Sequence, residues 1–148
     1  MSIDRRRDHV ALNREYDGDS STLRAARSDV VSYLRAHKVA QDLQERAQLV
    51  VSELASNAIE AAPGVDYGVR ASVVDDGSVV ISVTSTTEQG GPPPREAWGP
   101  ADARAPRGRG LMIVGELTDR VEIERSEIDT IVVTAHFGRP PQSINATR

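Results

Sequence analysis

The stretch 50–62, V-V-S-E-L-A-S-N-A-I-E-A-A, runs into Pro63-Gly64 and divides the chain between two kinds of periodicity. Up to that point apolar residues recur at three- and four-residue steps. Val50, Leu54, Ala58 and Ala61 make one stripe of a helix that the proline and glycine should end. Beyond it apolar and polar residues alternate, which is the strand period. A chain that changes period in this way has to lay amphipathic helices on the apolar face of a sheet. Glu53 and Asn57 stand at the edge of the stripe, four residues apart and so neighbours one turn along the helix. A carboxylate can take up a proton, and a carboxamide oxygen can enter the shell of a hard cation such as Mg²⁺. Spacing alone leaves two readings open, a solvated pair on a helix surface or a polar site.

The elements on either side give the architecture. Residues 1–19 are polar and aperiodic and read as a mobile N-terminal arm with room for one edge strand. Ser20, Ser21 and Thr22 are each competent N-caps for a helix running to about His37. Its stripe is Leu23, Ala26, Val30 and Leu34, with Val31 alongside. Asp42 opens the second helix and Glu45 follows three residues later, a reciprocal capping arrangement with Asp in place of Ser or Thr. Residues 65–74 and 78–84 read as strands joined across Asp75-Asp76-Gly77. From 86 to about 107 the only large apolar group is Trp98. A patternless run of this length inside a compact domain reads as a lid, a binding loop or disorder.

A helical pattern resumes at Arg109 with Leu111, Ile113, Val114 and Leu117, entered through Gly108-Arg109-Gly110. Residues 121–124 and 130–137 alternate as two last strands, and 138–148 reads as a disordered tail. The expected fold is one domain over 20–137. It is an α/β two-layer sandwich whose mostly antiparallel, mixed sheet is covered on one face by about three helices.

Charge and composition narrow the function classes. A net charge of −4 and a pI near 5.4 argue against a dedicated nucleic-acid or anionic-membrane surface. With no cysteine, disulfides and thiolate metal sites are excluded, and a reducing cytoplasm is the simplest location. His9, His37 and His136 lack the spacing of metal ligands, and no apolar run approaches the length of a membrane span. What remains is the G-R-G-L mouth at Gly108, Arg109, Gly110 and Leu111. Glycines there let backbone approach a ligand, the first free N–H groups of a helix attract anions, and Arg107 and Arg109 add positive charge. A phosphate-bearing ligand would then rest between this mouth and the Glu53/Asn57 face, with Mg²⁺ bridging Asn57 to the phosphates. Taken alone, a pair of glycines entering a helix is also ordinary turn geometry.

The series V-S-E-L-A-S-N-A-I-E-A-A, hairpin, lid and R-G-R-G-L-M-I-V-G-E-L-T-D-R-V resembles the GHKL (Bergerat-fold) ATPases, and within them the small anti-sigma-factor serine kinases. E-L-x-x-N-A is similar to that family's N box and G-R-G-L to its second glycine box. The resemblance implies ATP and Mg²⁺ as ligands and Glu53 as the general base toward a serine hydroxyl of a protein substrate. It implies Asn57 as the Mg²⁺ ligand, Gly108, Arg109, Gly110 and Leu111 around the phosphates, and Thr130 in support of the adenine. It also implies partner switching between a sigma factor and an anti-anti-sigma (STAS) protein, often by a homodimer.

The chain departs from the family in two places. Ser85 stands where the family has an Asp that accepts from the adenine amino group, with Thr87 where a glycine should follow. Glu60 stands just past the Asn, where relatives tend to carry a basic residue or His. Two hypotheses result: an ATP-dependent serine/threonine kinase and anti-sigma regulator, or a kinase-like domain that binds proteins without ATP. A third is an accessory ATPase domain of the histidine-kinase type, against which the lack of a phosphoacceptor helix pair counts.

Overall fold

The computed structural model of the chain describes residues 11–74, 77–86, 106–126 and 130–137, with 106–111 described by backbone alone. The expected lid beyond Thr86 as far as residue 105, Trp98 within it, and the tail at 138–148 lie outside these. In order come strand β1 (Leu12–Tyr16), a 3₁₀ turn (Ser20–Thr22), helices α1 (Leu23–Ala36) and α2 (Gln41–Ala61), strands β2 (Tyr67–Val73) and β3 (Val79–Thr86), helix α3 (Pro106–Leu117), and strands β4 (Arg120–Arg125) and β5 (Thr130–Phe137). The sheet order is β1-β2-β3-β5-β4, and each neighbouring pair runs antiparallel.

One face of this sheet carries the core. Tyr67, Val69, Ala71 and Val73 on β2, Val79, Ile81 and Val83 on β3, and Ile131, Val133, Ala135 and Phe137 on β5 are all buried. They occupy alternate positions, as the strand period requires. Against them lie Ala26, Val30 and Leu34 of α1 and Leu43, Ala47, Val50, Val51, Leu54, Ala55 and Ala58 of α2. The other face presents the alternating partners, in cross-strand rows such as Asn13–Arg70–Ser82–Thr134–Glu122.

Three local details differ from the sequence expectation. Asp19 is the capping residue ahead of the first helix, its Oδ1 accepting from the Ser21 amide at 2.9 Å. Thr22 instead turns its hydroxyl to the Asp19 carbonyl at 2.8 Å and to the Tyr67 hydroxyl at 2.8 Å. The second helix starts one residue earlier than Asp42, and its N-cap Ala40 has no side-chain acceptor. Asp42 therefore sits inside the first turn and pairs with Arg46 at 3.0 Å, while Glu45 accepts from Gln41 at 3.4 Å. The third helix begins at Pro106 rather than Arg109. A proline is well placed in a first turn, since its missing N–H would have had no helical partner there.

The N-terminal strand is clasped to the helical layer. The Tyr16 hydroxyl donates to Asp29 Oδ2 at 2.7 Å, and the Tyr16 and Tyr67 rings stack with centroids 5.5 Å apart. The Gly64 amide donates to the Gly18 carbonyl at 2.9 Å, joining the entry of α1 to the exit of α2.

Candidate functional site

Helix α2 places Glu53 and Asn57 at the margin of its buried face, both half-buried. Leu54 and Ala58, the residues that follow each of them, are in the core, which fixes the rotation of the helix and holds the polar pair at its rim. Burial pushes the Glu53 carboxyl above the usual carboxylate range, and the negative charge of Glu60 two turns on adds to the rise. Such a carboxylate is a stronger base than one free in water.

Asn57 carries the most telling atom. Its Nδ2 is buried and has no hydrogen-bond partner. A buried polar group left unmatched costs about 1–3 kcal/mol, and native structures keep few of them. A carboxamide presents either its N–H or its C=O by a half-turn. The same position can therefore donate to a phosphate oxygen or offer an oxygen to a cation. Among the described residues no cluster of three or more His, Cys, Asp or Glu side chains could hold a metal. Mg²⁺ keeps most of its shell for water and substrate phosphates, so one amide oxygen from the protein can complete it. The residues present fit that group.

Helix α3 packs beside α2. Arg46 donates to the Leu117 carbonyl at 3.4 Å, so the end of α3 lies near the start of α2. Gly108, Arg109, Gly110 and Leu111 lie within the first turns of α3, not in a loop ahead of it. A helix starting at Pro106 leaves the amides of Arg107 and Gly108 without a helical carbonyl four residues back.

The adenine-side residues fall on different faces. Ser85 pairs with Ile131, a core residue, and so shares the helix-facing side of the sheet. Thr130 pairs with Thr86 and, one residue out of phase with Ile131, shares the open side. There Thr86 and Thr130 border a trough of about 410 Å³ that Gly68 and Ser85 also line. Ser85 lies on the face of the sheet turned to the helices and Thr130 on the opposite face, yet both line that trough at the end of β3. Sequence alternation alone could have shown the opposite facing, because Ile131, Val133 and Ala135 fix the phase of β5.

A five-stranded antiparallel sheet under three helices, with an unmatched amide and a proton-hungry carboxylate on the central helix, defines a class. The chain belongs to the histidine kinase-like ATPase domain family, whose profile matches residues 17–135. Family membership implies a nucleotide as the ligand. Among solved structures, the RsbU and RsbW domains of Rv1364c from Mycobacterium tuberculosis align with a TM-score of 0.63 and 20% identity over 88% of this chain. This chain spans 33% of that one. The SiaB–SiaC complex from Pseudomonas aeruginosa aligns with a TM-score of 0.67 and 16% identity, covering 92% of this chain and 95% of the other. At these identities the likeness is one of fold. No curated protein matches in sequence. No described helix is long and apolar enough to cross a membrane.

Proposed function

We propose that this chain is an ATP-dependent serine/threonine protein kinase of the anti-sigma-factor type, acting by partner switching. In this reading it binds a sigma factor in one state and phosphorylates an anti-anti-sigma (STAS) protein in the other, as a cytoplasmic homodimer. The observation that carries the nucleotide reading is the buried, unpartnered amide of Asn57 one turn from Glu53. The order of the two motifs supports the regulatory reading, as do structural neighbours with an RsbW domain and a SiaB–SiaC pair.

The chemistry asked of the chain is small. Glu53 takes the proton of a serine hydroxyl on the partner as that oxygen forms its bond to the γ-phosphorus of ATP. The bond from that phosphorus to the β,γ-bridging oxygen breaks, and ADP leaves. Asn57 would hold Mg²⁺ against the phosphates, and the ion, when bound, would neutralise charge on the oxygens around the transferred group. The glycine-rich opening of α3 would let backbone amides approach the same oxygens.

Calorimetric titration with Mg²⁺-ATP tests this directly. Binding in the micromolar to sub-millimolar range is expected, dependent on Mg²⁺ and lost in Asn57→Ala. That substitution should leave the fold intact, since the amide it removes has no partner to lose. Silence at millimolar nucleotide would instead favour the second reading, a protein-binding domain without ATP. Ser85 is the observation on that side. It is an uncharged, short-reaching acceptor on the helix-facing side of β3, where the family's Asp would stand. Ser85→Asp should tighten ATP binding by one to two decades, the worth of about 1.5–3 kcal/mol for a charged acceptor. No gain in a folded variant would rule out an adenine contact at this position.

A further inference from the structure

The outer surface of α1 carries a feature that nucleotide chemistry leaves unused. Arg24, Arg27, Val31 and Arg35 recur at three- and four-residue steps and so form one stripe. The stripe lines a groove of about 340 Å³ that Ser28 and, from α2, Gln48 help to complete. No carboxylate is among the described residues that line it. Asp29, the one acidic residue of α1, faces the other way, bonded to the Tyr16 hydroxyl at 2.7 Å and paired with Arg14 at 3.7 Å. The Arg27 guanidinium donates to the Ser52 hydroxyl of α2 at 3.3 Å, which ties it to the neighbouring helix. The chain as a whole is acidic, at −4, so three guanidinium groups on one groove run against its overall charge.

We propose that the α1/α2 groove docks an acidic amphipathic helix of a protein partner. From Arg24 to Arg35 the stripe spans eleven residues, about 16 Å of helix. A partner helix with carboxylates one turn apart would meet Arg24 and Arg27 at one end and Arg35 at the other, with an apolar residue on Val31 between them. Arginine suits the task because its planar fork binds a carboxylate through two parallel bonds. A nucleic acid fits less well. Its phosphates extend beyond a groove of this length, and the acidic remainder of the chain would repel them. The proposal does not depend on phosphotransfer or on nucleotide binding.

The test is a titration of ¹⁵N-labelled protein at low salt with three probes. They are a synthetic helical peptide with glutamates on one face around a single leucine, its lysine counterpart, and a short DNA duplex. The acidic peptide should shift amides of α1 and of Gln48, and its affinity should fall steeply with added salt. Arg24→Glu combined with Arg35→Glu, both at exposed positions, should weaken it roughly tenfold or more with the circular dichroism melt unchanged. Adding Arg27→Glu should weaken it further. Absence of shifts, equal binding of the lysine peptide, equal binding by the charge-reversed protein, or preference for the duplex would each overturn the proposal. A parallel Mg²⁺-ATP titration of the double variant, expected to match wild type, separates this outcome from the fate of the kinase reading.

Discussion

Glu53→Gln is expected to abolish phosphotransfer, by roughly 10²–10⁴-fold, while ATP affinity stays within about twofold. The substitution keeps the size and half-buried seat of the side chain and removes its ability to take a proton. Single-turnover transfer and calorimetric titration, run on the same variant, read the two quantities apart. An equal loss of both would reject the base role.

The pH dependence adds a second check. A base works only when ionised, and burial together with Glu60 lifts the Glu53 pKa. Activity should therefore fall off on the acid side at a higher pH than an ordinary glutamate gives, and Glu60→Gln should move that limb back down. The same shift carries a sign for stability. Because folded Glu53 holds its proton more tightly than the unfolded chain does, its contribution is fully present at low pH and lost as pH rises through the folded pKa. Glu53→Gln should thus raise Tm at neutral pH, with the gain fading on acidification. Under the proposed role, that cost in stability would be the usual exchange for activity.

Gly18→Ala is expected to destabilise the fold strongly. A Cβ at Gly18 would run into the Val65 backbone, closer than any tolerable contact at its carbonyl oxygen and only 2.7 Å from its nitrogen. Both partners are main chain, so no rotamer change relieves the clash, and the Gly64-to-Gly18 hydrogen bond at 2.9 Å must open. Overpacking of this kind costs about 3 kcal/mol, or near 10 °C in Tm for a domain of this size. Gly68→Ala supplies the contrast. A Cβ there meets nothing nearer than 3.8 Å, so the same change should be neutral or slightly stabilising through the unfolded chain. Thermal melts of both variants compare the two directly, and similar melts would mean that the Gly18–Val65 contact is not as tight as described.

Periodicity made most of this fold legible before any coordinates. The stripes of Ala26, Val30 and Leu34 and of Val50, Leu54 and Ala58 are in the core, and the alternation at Val79, Ile81 and Val83 marks the buried side of β3. Strand pairing, however, is a property of distant segments, so the placement of β1 beside β2 and of β3 beside β5 was not written in any local pattern. The capping errors have a local cause. Asp42 had both a cap role and an i,i+4 partner in Arg46 open to it, and the ion pair prevailed because Ala40 already began the turn. Of the site, the Glu53/Asn57 pairing followed from spacing. The orphaned amide and the raised carboxyl could not, since both depend on how much water the neighbouring elements exclude. The Arg24/Arg27/Arg35 stripe was visible in the letters, but only the position of α2 turns it into a groove.

The bond between Gly18 and Gly64 has a mechanical consequence. It ties the first strand to the exit of the same helix that presents Glu53 and Asn57, and Tyr16 and Thr22 fasten the rest of that segment to α1 and β2. A pulling force applied at the amino end would load these fastenings first, peeling β1 from its neighbour and loosening the final turns of α2. Tethers for surface immobilisation or force spectroscopy therefore belong on the carboxyl side, which leaves the strap unstressed.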